Sequence, residues 1–112
     1  MILWHNPRCS KSRQTLALLE ERGVVFEVRR YLEDAPNLAE LTSAQTSLKV
    51  PALAMMRTKE VEFKALGLSQ DSTETELLEA MVKVPKLIER PVFFNGDKAA
   101  IGRPPEKVLD IL

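Results

Sequence analysis

Apolar positions along this chain fall into short continuous runs and longer periodic ones, and their order predicts the layout. Ile2-Leu3-Trp4-His5 is short and apolar, as a buried strand is. Asn6-Pro7-Arg8-Cys9 reads as a turn. Ser10 to Arg22 then reads as a helix, with Leu16 and Leu19 three apart and Gly23 as the stop. Val24 to Val28 alternates and carries β-branched residues, so it reads as a second strand. A βαβ unit of this kind favours parallel strands.

The pattern changes after Tyr31. Asn37-Leu38-Ala39-Glu40 has the form of an N-cap with a glutamate at the third helical position, followed by Leu41, Ala44 and Leu48 at helical spacing. Glu60 to Leu66, stopped by Gly67, predicts another short helix. Thr73 and Glu76 repeat the capping pattern ahead of Leu77, Leu78, Met81 and Val82. No strand pattern occurs between Tyr31 and Lys86, so residues from about 34 to 84 read as a helical insertion. Pro91-Val92-Phe93-Phe94 resumes as a strand, Asn95-Gly96 signals a hairpin, and Lys98 to Ile101 is the expected antiparallel partner. Pro104 and Pro105 open a last helix with Val108, Leu109 and Leu112 on one face. The order βαβ, helical insert, ββα suits one α/β domain over residues 1–112, a small mixed sheet flanked by helices.

Composition narrows the function. Sixteen basic residues balance sixteen acidic ones, which is not the basic excess that non-specific nucleic-acid binding requires. No apolar run approaches the roughly 20 residues needed to span a bilayer, and the start lacks the pattern of a secretory signal. No nucleic acid and no membrane are expected as partners, and a cytoplasmic location is. One cysteine excludes an internal disulfide and a multi-thiolate zinc site. With one histidine and no acidic cluster at ligand spacing, no metal site is expected. Nucleotide-binding loops of the G-x-x-x-x-G-K or G-x-G-x-x-G type are absent.

That single cysteine, Cys9, falls where a strand ends and a helix begins. Unpaired amides and the positive end of the helix dipole gather there, and both favour a thiolate or a bound anion. Arg8, Lys11 and Arg13 add positive charge. A lone cysteine also serves as a small hydrophobe, but Cys9 has Arg, Ser, Lys and Pro as neighbours rather than an apolar run. The loop is C-x-x-S, so it forms no dithiol disulfide. Three residues between Cys9 and Arg13 are too few for the cradle of a cysteine phosphatase. His5 precedes Cys9 by four residues, and two roles fit it. As an imidazolium it would lower the thiol pKa; as a neutral ring it would cap the loop by hydrogen bonding.

Four segments then fall together. They are His5-Asn6-Pro7-Arg8-Cys9-Ser10-Lys11-Ser12-Arg13, Arg57 ahead of Leu66-Gly67-Leu68, Leu87-Ile88-Glu89-Arg90-Pro91-Val92, and Ile101-Gly102-Arg103-Pro104-Pro105-Glu106. In order and spacing they resemble the glutaredoxin-coupled arsenate reductase (ArsC) family over nearly the whole chain. Arg8, Ser10 and Lys11 resemble its shorter chromosomal members. The resemblance implies a thioredoxin-like fold with a helical insertion between the second and third strands, and a cis Arg90–Pro91 bond. It implies Cys9 as the nucleophile, Arg57, Arg90 and Arg103 converging on the oxyanion, and His5 and Ser12 tuning the thiolate. Taken singly, each arginine reads as an ordinary surface charge. Guanidinium groups nonetheless suit a tetrahedral oxyanion, because they donate bidentate, charge-assisted hydrogen bonds.

The implied reaction is reduction of arsenate, or a similar oxyanion, by glutathione as co-substrate with glutaredoxin as partner and no bound cofactor. The cysteine count points independently to an external thiol, since this chain has no second cysteine to resolve an adduct. Two other readings are a thioredoxin-like redox regulator or adaptor, and a monothiol oxidoreductase acting on glutathionylated substrates. The related regulators typically carry a C-x-x-C switch, where this chain has Ser12.

Overall fold

Leu3 sits at the centre of the sheet and explains its arrangement. In the computed structural model, which describes residues 1–112, strand β1 (Ile2–Trp4) has neighbours on both sides. It pairs in parallel with β2 (Glu27–Arg29) and antiparallel with β3 (Val92–Asn95), which pairs antiparallel with β4 (Lys98–Ile101). The order β2-β1-β3-β4 is a mixed four-stranded sheet of thioredoxin-like form, with the helical insertion between its second and third strands in chain order. The chain divides into two units, Met1–Asp34 with Arg90–Leu112, and Ala35–Glu89.

In the first unit, Leu3 lies opposite Phe93 in the register, so both project to one face. Helix α1 (Ser10–Glu21) contributes Leu19 and the C-terminal helical turn Pro105–Ile111 contributes Val108 to the same cluster. All four side chains are fully buried, each stabilising the fold by roughly 1.5–3 kcal/mol of transfer free energy. Phe26 meets Phe93 edge-on at 6.2 Å between centroids. On the opposite face, Trp4 stacks obliquely on Phe94 at 4.7 Å.

Three local differences from the sequence pattern have physical causes. The second strand was expected from Val24 but begins at Glu27. After α1, Gly23 (φ 68) donates to the Glu20 carbonyl and Val24 to the Leu19 carbonyl. This is a left-handed helix cap, and it uses Val24 before a strand can start. The hairpin loop is Gly96-Asp97, because Asn95 pairs with Lys98 inside the ladder. Gly96 has φ 62 while Asp97 does not take a positive φ, as in a type II′ turn. Asn95 instead donates its side-chain Nδ2 to the Ile111 carbonyl at 2.7 Å. The last helix is 3₁₀, so residues three apart share a face. Val108 is buried and Ile111 packs with it, while Leu112 is left 48% exposed.

Gly102 is fixed by a close approach. Its N–H donates to the Pro91 carbonyl at 2.9 Å. A Cβ there would lie 2.6 Å from Thr15 Oγ1 and 2.8 Å from Pro91 Cγ. Thr15 is fully buried and its hydroxyl donates to the Lys11 carbonyl, so it has little room to move. Gly102→Ala should therefore destabilise the protein by about 1–3 kcal/mol through overpacking. Urea unfolding checks this, and an unchanged midpoint would contradict it.

The second unit is helical. Helix α2 (Leu38–Leu48) and helix α4 (Glu74–Lys83) each start with a reciprocal capping box, Asn37 with Glu40 and Thr73 with Glu76. Helix α3 (Val61–Ala65) lies between them in sequence and buries Phe63. Glu74 accepts from the Gln45 side chain at 2.8 Å and from the Ala52 N–H at 2.9 Å, tying α2, α4 and the 3₁₀ turn Ala52–Met55 together. One feature had no sequence signal, a single antiparallel bridge between Met56 and Ile88. No helix is long and apolar enough to cross a membrane.

Candidate active site

The loop from β1 into α1 shapes itself by hydrogen bonds from its own residues. The Asn6 side-chain oxygen accepts the Arg8 N–H at 3.0 Å, and the Asn6 carbonyl accepts the Cys9 N–H at 3.0 Å. Arg13 Nη1 donates to the Pro7 carbonyl at 3.0 Å, clamping the loop onto the first turn of α1. Cys9 is the N-cap, in extended backbone (φ −95, ψ 124), and its carbonyl accepts the Arg13 N–H. Its side chain closes no formal cap bond, so the sulfur is left facing the amides at the start of the helix.

Opposing influences act on that sulfur. Burial pushes the Cys9 thiol up. The Ser12 backbone N–H, the Arg90 guanidinium and the Lys11 backbone N–H more than offset this, leaving the thiol below its ordinary pKa. Arg103 Nη2 lies 3.7 Å from the sulfur, and Arg103 Nε donates to the Arg90 carbonyl at 2.8 Å. Arg90 and Arg103, thirteen residues apart, thus meet at one thiol. The Arg90–Pro91 and Arg103–Pro104 peptide bonds are both cis.

His5 and Ser12 form a buried pair behind the loop. His5 Nδ1 and Ser12 Oγ are 2.6 Å apart, and the Asn6 N–H donates to the same hydroxyl at 3.0 Å. Burial, then the charges of Arg30 and Arg13, hold the His5 pKa below its ordinary value. The neutral ring therefore shares a single proton with the Ser12 hydroxyl across the Nδ1–Oγ contact. Of the two roles open to His5, this geometry matches loop capping. The Ser12 side chain acts on the loop, and its backbone N–H acts on the sulfur. Ser12→Ala leaves the Asn6 N–H and His5 Nδ1 without this partner, so stability should fall by about 1–3 kcal/mol. Chemical denaturation measures it, and a variant as stable as the parent would show that the pair does not hold the loop.

Arg57 belongs to the second unit. Its backbone N–H donates to the Leu87 carbonyl at 2.8 Å beside the Met56–Ile88 bridge. Its guanidinium forms an ion pair with Glu60 at 2.6 Å, and Lys86 approaches the same carboxylate at 3.5 Å. The Glu60 partnership has an i,i+3 signature that the sequence reading passes over, whereas the turn at Asn6 is the one that the sequence predicts. The charge of Arg30 beside His5 depends on tertiary placement and had no such signal. No three His, Cys, Asp or Glu side chains gather closely enough to hold a metal ion.

Known proteins share this sequence and this fold. A protein of Haemophilus influenzae named arsenate reductase is 47% identical over 114 residues, covering 100% of this chain and 98% of its own length. An Escherichia coli arsenate reductase is 34% identical over 98% of this chain and 79% of its own length. A solved structure of an arsenate reductase from Vibrio cholerae matches with a TM-score of 0.95 and 46% identity, over 99% of this chain and 96% of that one. The model of the ArsC family matches residues 4–111, nearly every position from the first strand to the last helical turn, and this chain belongs to that family.

Proposed function

We propose that this protein is an oxidoreductase that reduces arsenate to arsenite, with Cys9 as nucleophile and glutathione and glutaredoxin as electron donors. The observation that carries the reading is a thiol held toward thiolate at a helix N-terminus, with the Arg90 and Arg103 guanidinium groups beside it. Those groups serve the thiolate and the incoming oxyanion alike, countering the repulsion between two anions. Relatives named arsenate reductase at 47% and 45% identity support the substrate.

Cys9 sulfur bonds to arsenic(V), and one arsenate oxygen leaves as water. Glutathione adds its sulfur to the same arsenic, and a second oxygen leaves as water. A glutaredoxin thiolate attacks the glutathione sulfur, forming a mixed disulfide. The electron pair of the broken sulfur–arsenic bond stays on arsenic, which becomes arsenic(III). Hydrolysis of the Cys9–arsenic bond releases arsenite and returns the thiol. Two thiols are oxidised to one disulfide, and arsenic gains two electrons.

Arg57 is the third proposed oxyanion ligand, and it would exchange its Glu60 partner for substrate. An NADPH-coupled assay tests the reading, comparing glutathione plus glutaredoxin with thioredoxin alone at equal protein concentration. Turnover with the former and little with the latter is expected, because this chain has no internal disulfide to offer thioredoxin. Equal rates with thioredoxin would overturn the coupling. No rate with either, in a folded protein with a titratable Cys9, would overturn the activity.

A further inference from the structure

Glu60 is the N-cap residue of α3, yet its side chain does not cap that helix. Short polar side chains at this position commonly accept a first-turn N–H. The Glu60 carboxylate turns to two cations instead. Its Oε1 lies 2.6 Å from Arg57 Nη1, and its Oε2 lies 3.5 Å from Lys86 Nζ. Lys86 also reaches Glu62 at 3.2 Å. The contact with Arg57 is short and both of its side chains are partly buried, so water and salt screen it less than a surface pair.

The main chain around Arg57 is held by other means. The Arg57 N–H donates to the Leu87 carbonyl at 2.8 Å, and the Glu89 N–H donates to the Met55 carbonyl at 2.7 Å, on either side of the Met56–Ile88 bridge. The Arg57 carbonyl accepts the Glu60 N–H at 3.2 Å, and the Glu60 carbonyl accepts the Phe63 N–H at 3.1 Å. None of these bonds uses the Glu60 carboxylate. It therefore decides where the guanidinium goes, while the backbone keeps its course without it.

We propose that Glu60 is a positioning residue that sets oxyanion affinity: it holds Arg57 as a displaceable counterion, and Lys86 keeps the carboxylate paired once the oxyanion has taken the guanidinium. The proposal rests on the reading of Arg57 as an oxyanion ligand. Two anions then compete for one guanidinium. Net affinity is the gain of the new pair less the loss of the old one. That loss would be large if Glu60 were left partly buried without a partner. Lys86, already at its other oxygen, keeps the loss small. The exchange also reverses by itself. Arsenate is an anion at neutral pH and competes for Arg57, whereas arsenite is the uncharged acid and does not. Glu60 thus recovers Arg57 once reduction has removed the charge.

Calorimetric titration of arsenate into Cys9→Ser protein, which forms no sulfur–arsenic adduct, reads affinity alone. In that background Glu60→Gln should tighten binding about fivefold, the size of one partly exposed ion pair. Glu79→Gln removes an equal charge from α4 and should leave affinity within about twofold, since distant surface charges are screened. Lys86→Met should weaken binding about threefold beside Glu60 and have little effect beside Glu60→Gln. Arg57→Ala should weaken binding and erase the effect of Glu60→Gln. With Cys9 present, Glu60→Gln should lower the KM for arsenate about fivefold and keep kcat within about twofold, a split that a loss of local structure would not produce. Weaker or unchanged arsenate binding in Glu60→Gln, or a tightening that persists with Arg57→Ala, would overturn the role of Glu60 while leaving Arg57 as a ligand. Arsenate affinity that Arg57→Ala does not change would overturn the reading of Arg57 itself.

Discussion

Cys9→Ser is expected to abolish arsenate reduction, lowering kcat/KM by roughly 10⁴-fold or more, as loss of a nucleophile does elsewhere. An alcohol at neutral pH has almost no anionic form, and the amides and guanidinium groups around Cys9 are too few to create one. The same groups remain in the variant, so oxyanion binding should persist while turnover is lost. The coupled assay measures the first effect and calorimetric titration with arsenate the second. Activity within tenfold of the parent would remove Cys9 from the mechanism. A stability effect accompanies it. The folded thiol lies below its ordinary pKa, so ionisation favours the folded state. That contribution is fully present above the unfolded thiol's pKa and lost as pH falls through the folded value. The parent should therefore gain stability with rising pH across that window, and Cys9→Ser should not.

Much of the frame was legible because local chemistry and tertiary structure agree. Asn37 with Glu40, and Thr73 with Glu76, satisfy the first amides of their helices without outside help, so the pattern alone marks the helix starts. Leu3 and Phe93 sit in runs that a buried strand requires, and they are register partners. Element boundaries shifted by one to three residues where one residue had two possible uses. Val24 is a good strand residue, but its N–H completes the cap of α1. Asn95 is a good turn residue, but its side chain reaches the Ile111 carbonyl.

The candidate site divides in the same way. Cys9 was visible because a strand-to-helix junction is a local event. The meeting of Arg90 and Arg103 at its sulfur depends on two chain segments far from Cys9 in sequence, and only the family resemblance pointed to it. The convergence of all three arginines was expected as well. Arg57 lies in the second unit, paired with Glu60. Its part in oxyanion binding therefore stands as a proposal resting on the resemblance.

Arg90→Ala should produce two separable losses, which makes it the most informative arginine to replace. The guanidinium acts on Cys9 by hydrogen bonding and by charge, and both lower the thiol pKa. Without it the thiol pKa rises, so the acidic limb of the kcat/KM profile should move to higher pH. Raising the pH should then restore the thiolate and recover that part of the loss. The second part is loss of a donor to the oxyanion, and no pH change restores it. Removing one such donor costs on the order of 10²–10³ in rate elsewhere, and a deficit of that size should persist on the alkaline plateau. Arg90→Lys keeps a charge near the sulfur but lacks the planar fork. It should hold the acidic limb close to that of the parent while recovering only part of the plateau. Arg103 remains as an internal control, because its Nε bonds to the backbone carbonyl of residue 90, which neither substitution removes. A full pH–rate profile for the three proteins decides the matter. An Arg90→Ala profile that neither shifts nor falls by more than threefold would place the guanidinium outside the chemistry, whatever its proximity to the thiol.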